Sequence, residues 1–241
     1  MTREQKQATQ QIIAELQAHG SAEKAEHHAY FFKTGEGQYG EGDLFFGVTV
    51  PQMRAIAKKY ANIGWAEIEG LLASPVHEVR LLALTITVEK YKKTKQATDK
   101  QKIVDFYLAH TQHINNWDLV DLSCYKILGD WLEDKDRNIL YQLADSENLW
   151  EQRIAIVTCM HFIHKGDFDD CLAISDRLLH HKHDLIHKAV GWMLREVGKK
   201  DIFVLTDFLR RHYKVMPRTM LRYAIEKFPE VERQKYLKGT K

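Results

Sequence analysis

HEVRLLALT at residues 77–85 opens a series of similar stretches along the chain. The later members are WEQRIAIVT at 150–158, LIHKAVGWM at 185–193 and, less closely, MPRTMLRYA at 216–224. Their alignment places basic residues at or near one position: Arg80, Arg153, Lys188 and Arg218. One more unit fits between the first two stretches, which gives a period of about 35–37 residues, typical of two-helix repeats. The series therefore predicts pairs of helices stacked one after another.

Helical spacing extends over most of the remaining sequence. Proline and glycine are scarce outside residues 35–51, and apolar residues elsewhere recur three and four positions apart rather than two. The pattern predicts an all-α fold, a single α-solenoid domain over residues 1–241. An N-terminal helical cap is expected over 1–62, with a Gly-rich loop at 35–43, and HEAT-like repeats over 63–241. In such a stack the second helices line a concave surface.

Composition is that of an ordinary soluble protein, with 44% hydrophobic and 28% charged residues and a formal net charge of +2. A basic surface would therefore have to arise from local arrangement. The cysteines Cys124, Cys159 and Cys171 form no CxxC pair, which favours a reduced compartment. The N-terminus lacks the apolar core of a signal peptide, and no run approaches the roughly 18 apolar residues of a membrane span. We expect a cytoplasmic monomer with no membrane partner.

The aligned cations lie near the starts of the second helices. Helix N-termini carry partial positive charge and free N–H groups, so a row of them with added cations suits a row of phosphates. The candidates for contacts with a nucleic-acid backbone are Arg80, Arg153, Lys188 and Arg218. Solvated surface charges paired with the preceding helices would give the same pattern, and this alternative stays open.

One repeat has no cation at the aligned position. There the sequence reads INNWDLVD at 114–121, inside a helix predicted over 116–132. Trp117 and Asp121 are four residues apart and would share one helical face. A stretch that served only packing would not need an aromatic ring and a carboxylate there, although tryptophan at helical spacing is more often part of a core.

Two residues from later repeats complete a candidate site. Trp192 lies one turn beyond Lys188, and Arg153 belongs to the repeat before it, so the expected concave surface holds Trp117, Asp121, Arg153 and Trp192. Aromatic faces attract cations, and a guanidinium holds a phosphate through two hydrogen bonds. Such a set fits a cationic alkylated purine in DNA. Its N-glycosidic bond breaks through a cationic sugar, which Asp121 would stabilise while it orients or deprotonates water.

At these residues the sequence resembles the DNA alkylation repair (AlkD-like) family of HEAT-like-repeat DNA glycosylases. The resemblance covers most of the chain, in FFGVTVPQMRAIAKKY at 45–60, HEVRLLAL at 77–84, INNWDLVD at 114–121, WEQRIAIV at 150–157 and IHKAVGWMLREVGKKD at 186–201. By motif, Trp117 and Trp192 resemble the lesion-facing tryptophans of the family, Asp121 its catalytic aspartate and Arg153 its active-site arginine. The resemblance implies excision of N3- and N7-alkylated purines from double-stranded DNA, without a metal, a cofactor or base flipping.

Two other motifs have weaker interpretations. The segment KTGEGQYGEGDLFFGVTVP at 33–51 is rich in glycine but lacks the GxxxxGK[ST] pattern of a nucleotide-binding P-loop, so a loop that orders the cap or contacts DNA is favoured. In HHKHDLIH at 180–187, His183 and His187 are four apart, the spacing of a metal-binding pair. No cysteine or carboxylate set completes that site, so loop and capping roles are favoured.

Two further functions stay open on the sequence. The first is a non-catalytic HEAT-like module that binds branched or damaged DNA through the same cations and does not use Asp121. The second is a protein-binding scaffold, which would have no salt-dependent affinity for DNA.

Overall fold

The structure is a computed structural model that describes residues 1–241, and it confirms the predicted all-α fold. The first seven helices are α1 (Arg3–Ala18), α2 (Ala22–Phe31), α3 (Val50–Lys59), α4 (Trp65–Leu72), α5 (His77–Lys93), α6 (Ala97–Ala109) and α7 (Trp117–Asp121). The next seven are α8 (Asn138–Ala144), α9 (Leu149–Lys165), α10 (Asp169–Arg177), α11 (Asp184–Lys200), α12 (Ile202–His212), α13 (Arg218–Ala224) and α14 (Glu230–Lys238). No helix combines the length and the apolar composition needed to cross a membrane.

The helices form two compact units, Met1–Ser123 and Cys124–Lys241. In the N-terminal unit, α5 is the central helix and packs against α3, α4, α6 and α7. Its side chains are buried on nearly every side, as expected of a helix enclosed by others. The buried residues of α5 include three charged or polar ones at its start, which must find partners inside the protein: His77, Glu78 and Arg80.

The C-terminal unit is built around α9 and α11. The helix α9 packs against α8, α10 and α11, and α11 packs in turn against α12 and α13. A Cβ atom added at Gly191 would lie 2.5 Å from the Met220 carbonyl oxygen, so only glycine allows α11 and α13 to approach this closely. The helix α9 ends at Gly166, which adopts a left-handed conformation with φ of 82°, a common helix stop.

The helix predicted over 116–132 is interrupted, and the boundary between the two units falls at the interruption. The helix α7 ends at Asp121, and a π-helical turn occupies Tyr125–Gly129. Between them, the Ser123 hydroxyl donates to the carbonyl oxygen of Leu119 at 2.5 Å and lies 2.9 Å from the Tyr107 hydroxyl. A serine hydroxyl that bonds to the backbone one turn earlier bends a helix, which explains the break.

Candidate functional site

The short helix α7 carries Trp117 and Asp121 at its two ends. It begins at Asn116, whose side-chain oxygen accepts the Trp117 N–H at 2.8 Å. The three residues between them are buried, while Trp117 and Asp121 are half-buried. At a spacing of four, Trp117 and Asp121 lie on one face of α7, and their roles toward a substrate stay predictions.

The ring of Trp117 rests on aromatic residues from the end of α2. It stacks on Phe32, with ring centroids 5.4 Å apart and planes 21° apart, and Phe31 meets it edge-on at 5.9 Å. Phe32 stacks in turn on Phe45, at 5.3 Å. Such contacts each contribute about 0.5–1.5 kcal/mol beyond burial and hold the indole in one orientation.

Asp118, by contrast, points into the protein and belongs to a buried chain of charges. His77 Nε2 lies 2.8 Å from a carboxylate oxygen of Asp118, and His77 Nδ1 lies 3.1 Å from Asp43. Arg80 donates to Asp43 at 2.6 Å, and the side-chain amide of Asn116 donates to it at 3.3 Å. The two aspartates of α7 therefore have different surroundings, one paired inside the protein and one half-buried at the surface.

The surroundings of these buried side chains favour the charged forms of His77 and Asp43. Burial alone would lower the pKa of His77, but Asp118 and Asp43 raise it from 6.5 to about 9. Burial would likewise raise the pKa of Asp43, but His77 and Arg80 hold it below the ordinary aspartate value. At neutral pH, His77 is an imidazolium that donates an N–H to each carboxylate.

Glu78 anchors the end of the Gly-rich segment to α5. One carboxylate oxygen accepts the N–H groups of Gly47 at 2.9 Å and Val48 at 3.3 Å, and the other accepts that of Phe46 at 3.1 Å. His28 of α2 lies 3.4 Å from the same carboxylate. The segment is therefore held by carboxylate contacts on both sides of Leu44, through Asp43 and through Glu78.

Arg80 does not have the surroundings of a DNA contact. Its side chain is only 4% exposed, and its guanidinium donates to Asp43 and, at 3.0 Å, to the carbonyl oxygen of Ser74. The sequence predicts either a contact with the nucleic-acid backbone or a solvated surface charge at this position, whereas Arg80 neutralises a buried carboxylate. Its role here is structural.

The remaining predicted site residues lie in the C-terminal unit. Arg153 of α9 is buried and donates to the carbonyl oxygen of Leu185 at 2.7 Å. On α11, Lys188 pairs with Asp184 at 2.7 Å and Trp192 is half-buried. Arg218 is exposed at the start of α13 and donates to the carbonyl oxygen of Leu237 at 2.6 Å. Their contacts with DNA stay predictions.

The histidines near α11 serve the backbone. His183 is the N-cap of α11, and its Nδ1 accepts the Leu185 N–H at 3.1 Å. His187 Nε2 is hydrogen-bonded to the carbonyl oxygen of His181. These contacts fit the capping and loop roles favoured by the sequence.

Sequence reasoning missed Asp43, His77 and Glu78 as partners of α7 and of the Gly-rich segment. The available signal was the pair His77–Glu78 at the start of a helix that is otherwise largely apolar. Charged residues there need partners if the helix is buried, and a carboxylate in a Gly-rich loop is one source of them.

Comparisons with known proteins agree with this architecture. Residues 12–228 match the family described as DNA alkylation repair enzyme. A predicted DNA alkylation repair enzyme from Enterococcus faecalis has a similar structure, with a TM-score of 0.65 and 17% identity over 88% of this chain and 97% of that one. AlkD2 from Streptococcus mutans has a TM-score of 0.55 and 16% identity, covering 94% of this chain and 99% of that one. No curated protein matches the chain.

Proposed function

The chain belongs to the DNA alkylation repair enzyme family, and on that premise we propose that it is a DNA glycosylase. Its substrates would be cationic N3- and N7-alkylated purines in duplex DNA, attacked without extrusion of the base into a pocket. The observation that carries the proposal is the half-buried pair of Trp117 and Asp121 on α7, in the stretch that resembles the lesion-facing motif of the family.

The chemistry assigned to α7 follows from charge. The aromatic face of Trp117 attracts a cationic base or sugar, an effect worth about 0.5–2 kcal/mol depending on desolvation. As the C1′–N bond breaks, its electron pair leaves with the base and neutralises the positive charge of the purine. The carboxylate of Asp121 stabilises the oxocarbenium-like sugar and accepts a proton from the water that attacks C1′. Because the alkylated base is a good leaving group, the proposal requires no general acid, metal or cofactor.

Roles in the C-terminal unit are assigned residue by residue. Trp192 is proposed as an aromatic contact with the substrate, and Arg153 as a contact with a backbone phosphate. Lys188 and Arg218 are proposed as weaker backbone contacts. Arg80 is left out of this set because its guanidinium is buried against Asp43.

The test is base release from duplex DNA treated with a methylating agent, together with binding to the same duplex at two salt concentrations. A glycosylase releases 7-methylguanine or 3-methyladenine above the spontaneous rate. Salt-sensitive binding without release would indicate a non-catalytic DNA-binding module instead. Absence of both would overturn the proposal in favour of a protein scaffold.

A further inference from the structure

A buried chain of three side chains joins three separate segments of the N-terminal unit. Asp43 comes from the end of the Gly-rich segment, His77 from the start of α5 and Asp118 from α7. The side chains of Asp43 and His77 are 5% and 2% exposed, and that of Asp118 is 11% exposed. In this set of three side chains, one cation lies between two anions, and each ring nitrogen of His77 faces one carboxylate.

The helix α7 needs an external support. It has five residues, too few for a helix that is stable by itself. A cavity of about 480 Å³, lined by Asp118, His77, Phe31 and Phe32 among others, lies next to its first turn. That side is therefore only partly packed, and the polar contacts of Asp118 and of Asn116, which donates to Asp43, add to the support that the buried Leu119 and Val120 give.

We propose that the Asp43–His77–Asp118 chain is a positioning device that ties the Gly-rich segment to α7 and holds Trp117 and Asp121 in place. His77 is its central residue, and it acts through α7 rather than on a substrate. This assigns the Gly-rich segment the function of supplying Asp43. The effect on the position of α7 is independent of the proposed glycosylase function. The effect on the rate of base excision rests on that proposed function.

The device works through a balance of charge. Four groups face one another: the carboxylates of Asp43 and Asp118, the imidazolium of His77 and the guanidinium of Arg80. The neighbouring Glu78 is directed to backbone N–H groups, and His28 of α2 is directed to Glu78. A neutral His77 would leave two carboxylates against one guanidinium and could donate to only one of them. Loss of that single proton would leave one of the two carboxylates without its hydrogen bond from His77 and weaken the tie between the Gly-rich segment and α7.

The first readout follows α7 without any substrate. The indole N–H resonance of Trp117, assigned by its loss in Trp117→Phe, is recorded between pH 6.5 and 10 in the full chain. Wild type is expected to show one transition with a midpoint of about 9, where His77 loses its proton. In Asp118→Asn the midpoint moves down by about 1–3 pH units, because one anion next to His77 is gone. The control Asp105→Asn, at an exposed carboxylate of α6, leaves the midpoint unchanged.

The second readout is catalytic. At pH 7.5, single-turnover excision of 7-methylguanine by Asp118→Asn is expected to fall on the order of a hundredfold, as for other misplaced catalytic groups. The Kd for duplex DNA stays within about twofold, because Asp118 lies inside the protein. A residue needed only for folding would lower the melting temperature without shifting the midpoint of the Trp117 titration.

The two readouts separate the two proposals. A Trp117 resonance that does not titrate in wild type, or that titrates identically in Asp118→Asn, overturns the positioning device, and this experiment does not require the variant to be active. A titrating resonance in a wild-type protein that releases no base supports the device and contradicts the glycosylase function.

Discussion

Glu78 gives the sharpest test of how the Gly-rich segment is held. Its carboxylate is buried, and it accepts three backbone N–H groups, from Phe46, Gly47 and Val48. In Glu78→Gln, the amide oxygen can still accept two of these bonds, but the amide nitrogen then faces the third N–H. That substitution leaves one donor without an acceptor and removes the charge from the other two bonds.

The magnitude follows from these contacts. Hydrogen bonds to a charged group contribute about 1.5–3 kcal/mol and neutral ones about 0.5–1.5, so the loss of one and the weakening of two amounts to about 3–5 kcal/mol. The free energy of unfolding is measured by urea denaturation, and limited proteolysis reports on the Gly-rich segment. We expect Glu78→Gln to be destabilised by this amount and to be cleaved faster between residues 35 and 47.

The matched control is Glu89→Gln, on the same helix, where the carboxylate is 43% exposed and pairs with Lys92. Surface pairs of this kind contribute about 0–1 kcal/mol. Equal stability of Glu78→Gln and Glu89→Gln would show that Glu78 does not anchor this segment.

Three further predictions concern stability. Gly47→Ala should lower the melting temperature clearly more than Gly37→Ala. Both glycines have positive φ, 76° and 72°, but only at position 47 would a Cβ atom collide, 2.6 Å from the Ala25 backbone nitrogen of α2. Because the folded-state pKa of His77 is raised from 6.5 to about 9, its stabilisation of about 3 kcal/mol is fully present below pH 6.5 and lost as the pH rises through 9. Urea midpoints at pH 6.5 and 9.5 should show this loss in wild type but not in His77→Gln. Arg137 bonds to Asp167 at 2.7 Å and to Asp170 at 2.6 Å, and its guanidinium lies 3.7 Å from the centre of the Phe162 ring. Lysine cannot keep all three contacts, so Arg137→Lys should cost about 2 kcal/mol in thermal unfolding. An unchanged melting temperature would show that the planar guanidinium is not needed.

Most helices could be predicted from the sequence because their apolar spacing reports directly on burial. The repeated stretches at 77–85 and 150–158 lie within α5 (His77–Lys93) and α9 (Leu149–Lys165), as their helical spacing predicts. The break after α7 could not be predicted in this way, because Leu122, Ile127 and Leu128 continue the helical spacing across it. It depends on the hydroxyl of Ser123 and its neighbour Tyr107, a contact that apolar periodicity does not reveal.

In the candidate site, too, the local arrangement could be predicted from the sequence and the long-range contacts could not. The pairing of Trp117 with Asp121 follows from local geometry, since residues four apart share a helical face, and the structure preserves it. Asp43, the partner of Arg80, lies 37 residues earlier in the chain, and His77, the partner of Asp118, lies 41 residues earlier in a different helix. Such long-range ion pairs depend on tertiary packing, which the repeat pattern does not encode.

The proposed function depends above all on Asp121 as the residue that catalyses excision of alkylated purines. The most direct measurement is single-turnover release of 7-methylguanine and 3-methyladenine from methylated duplex DNA by wild type, Asp121→Asn and the control Asp105→Asn. We expect release by wild type and the control, and a rate at least about a hundredfold lower for Asp121→Asn at unchanged affinity for the duplex. Equal rates for Asp121→Asn and wild type would contradict this role of Asp121.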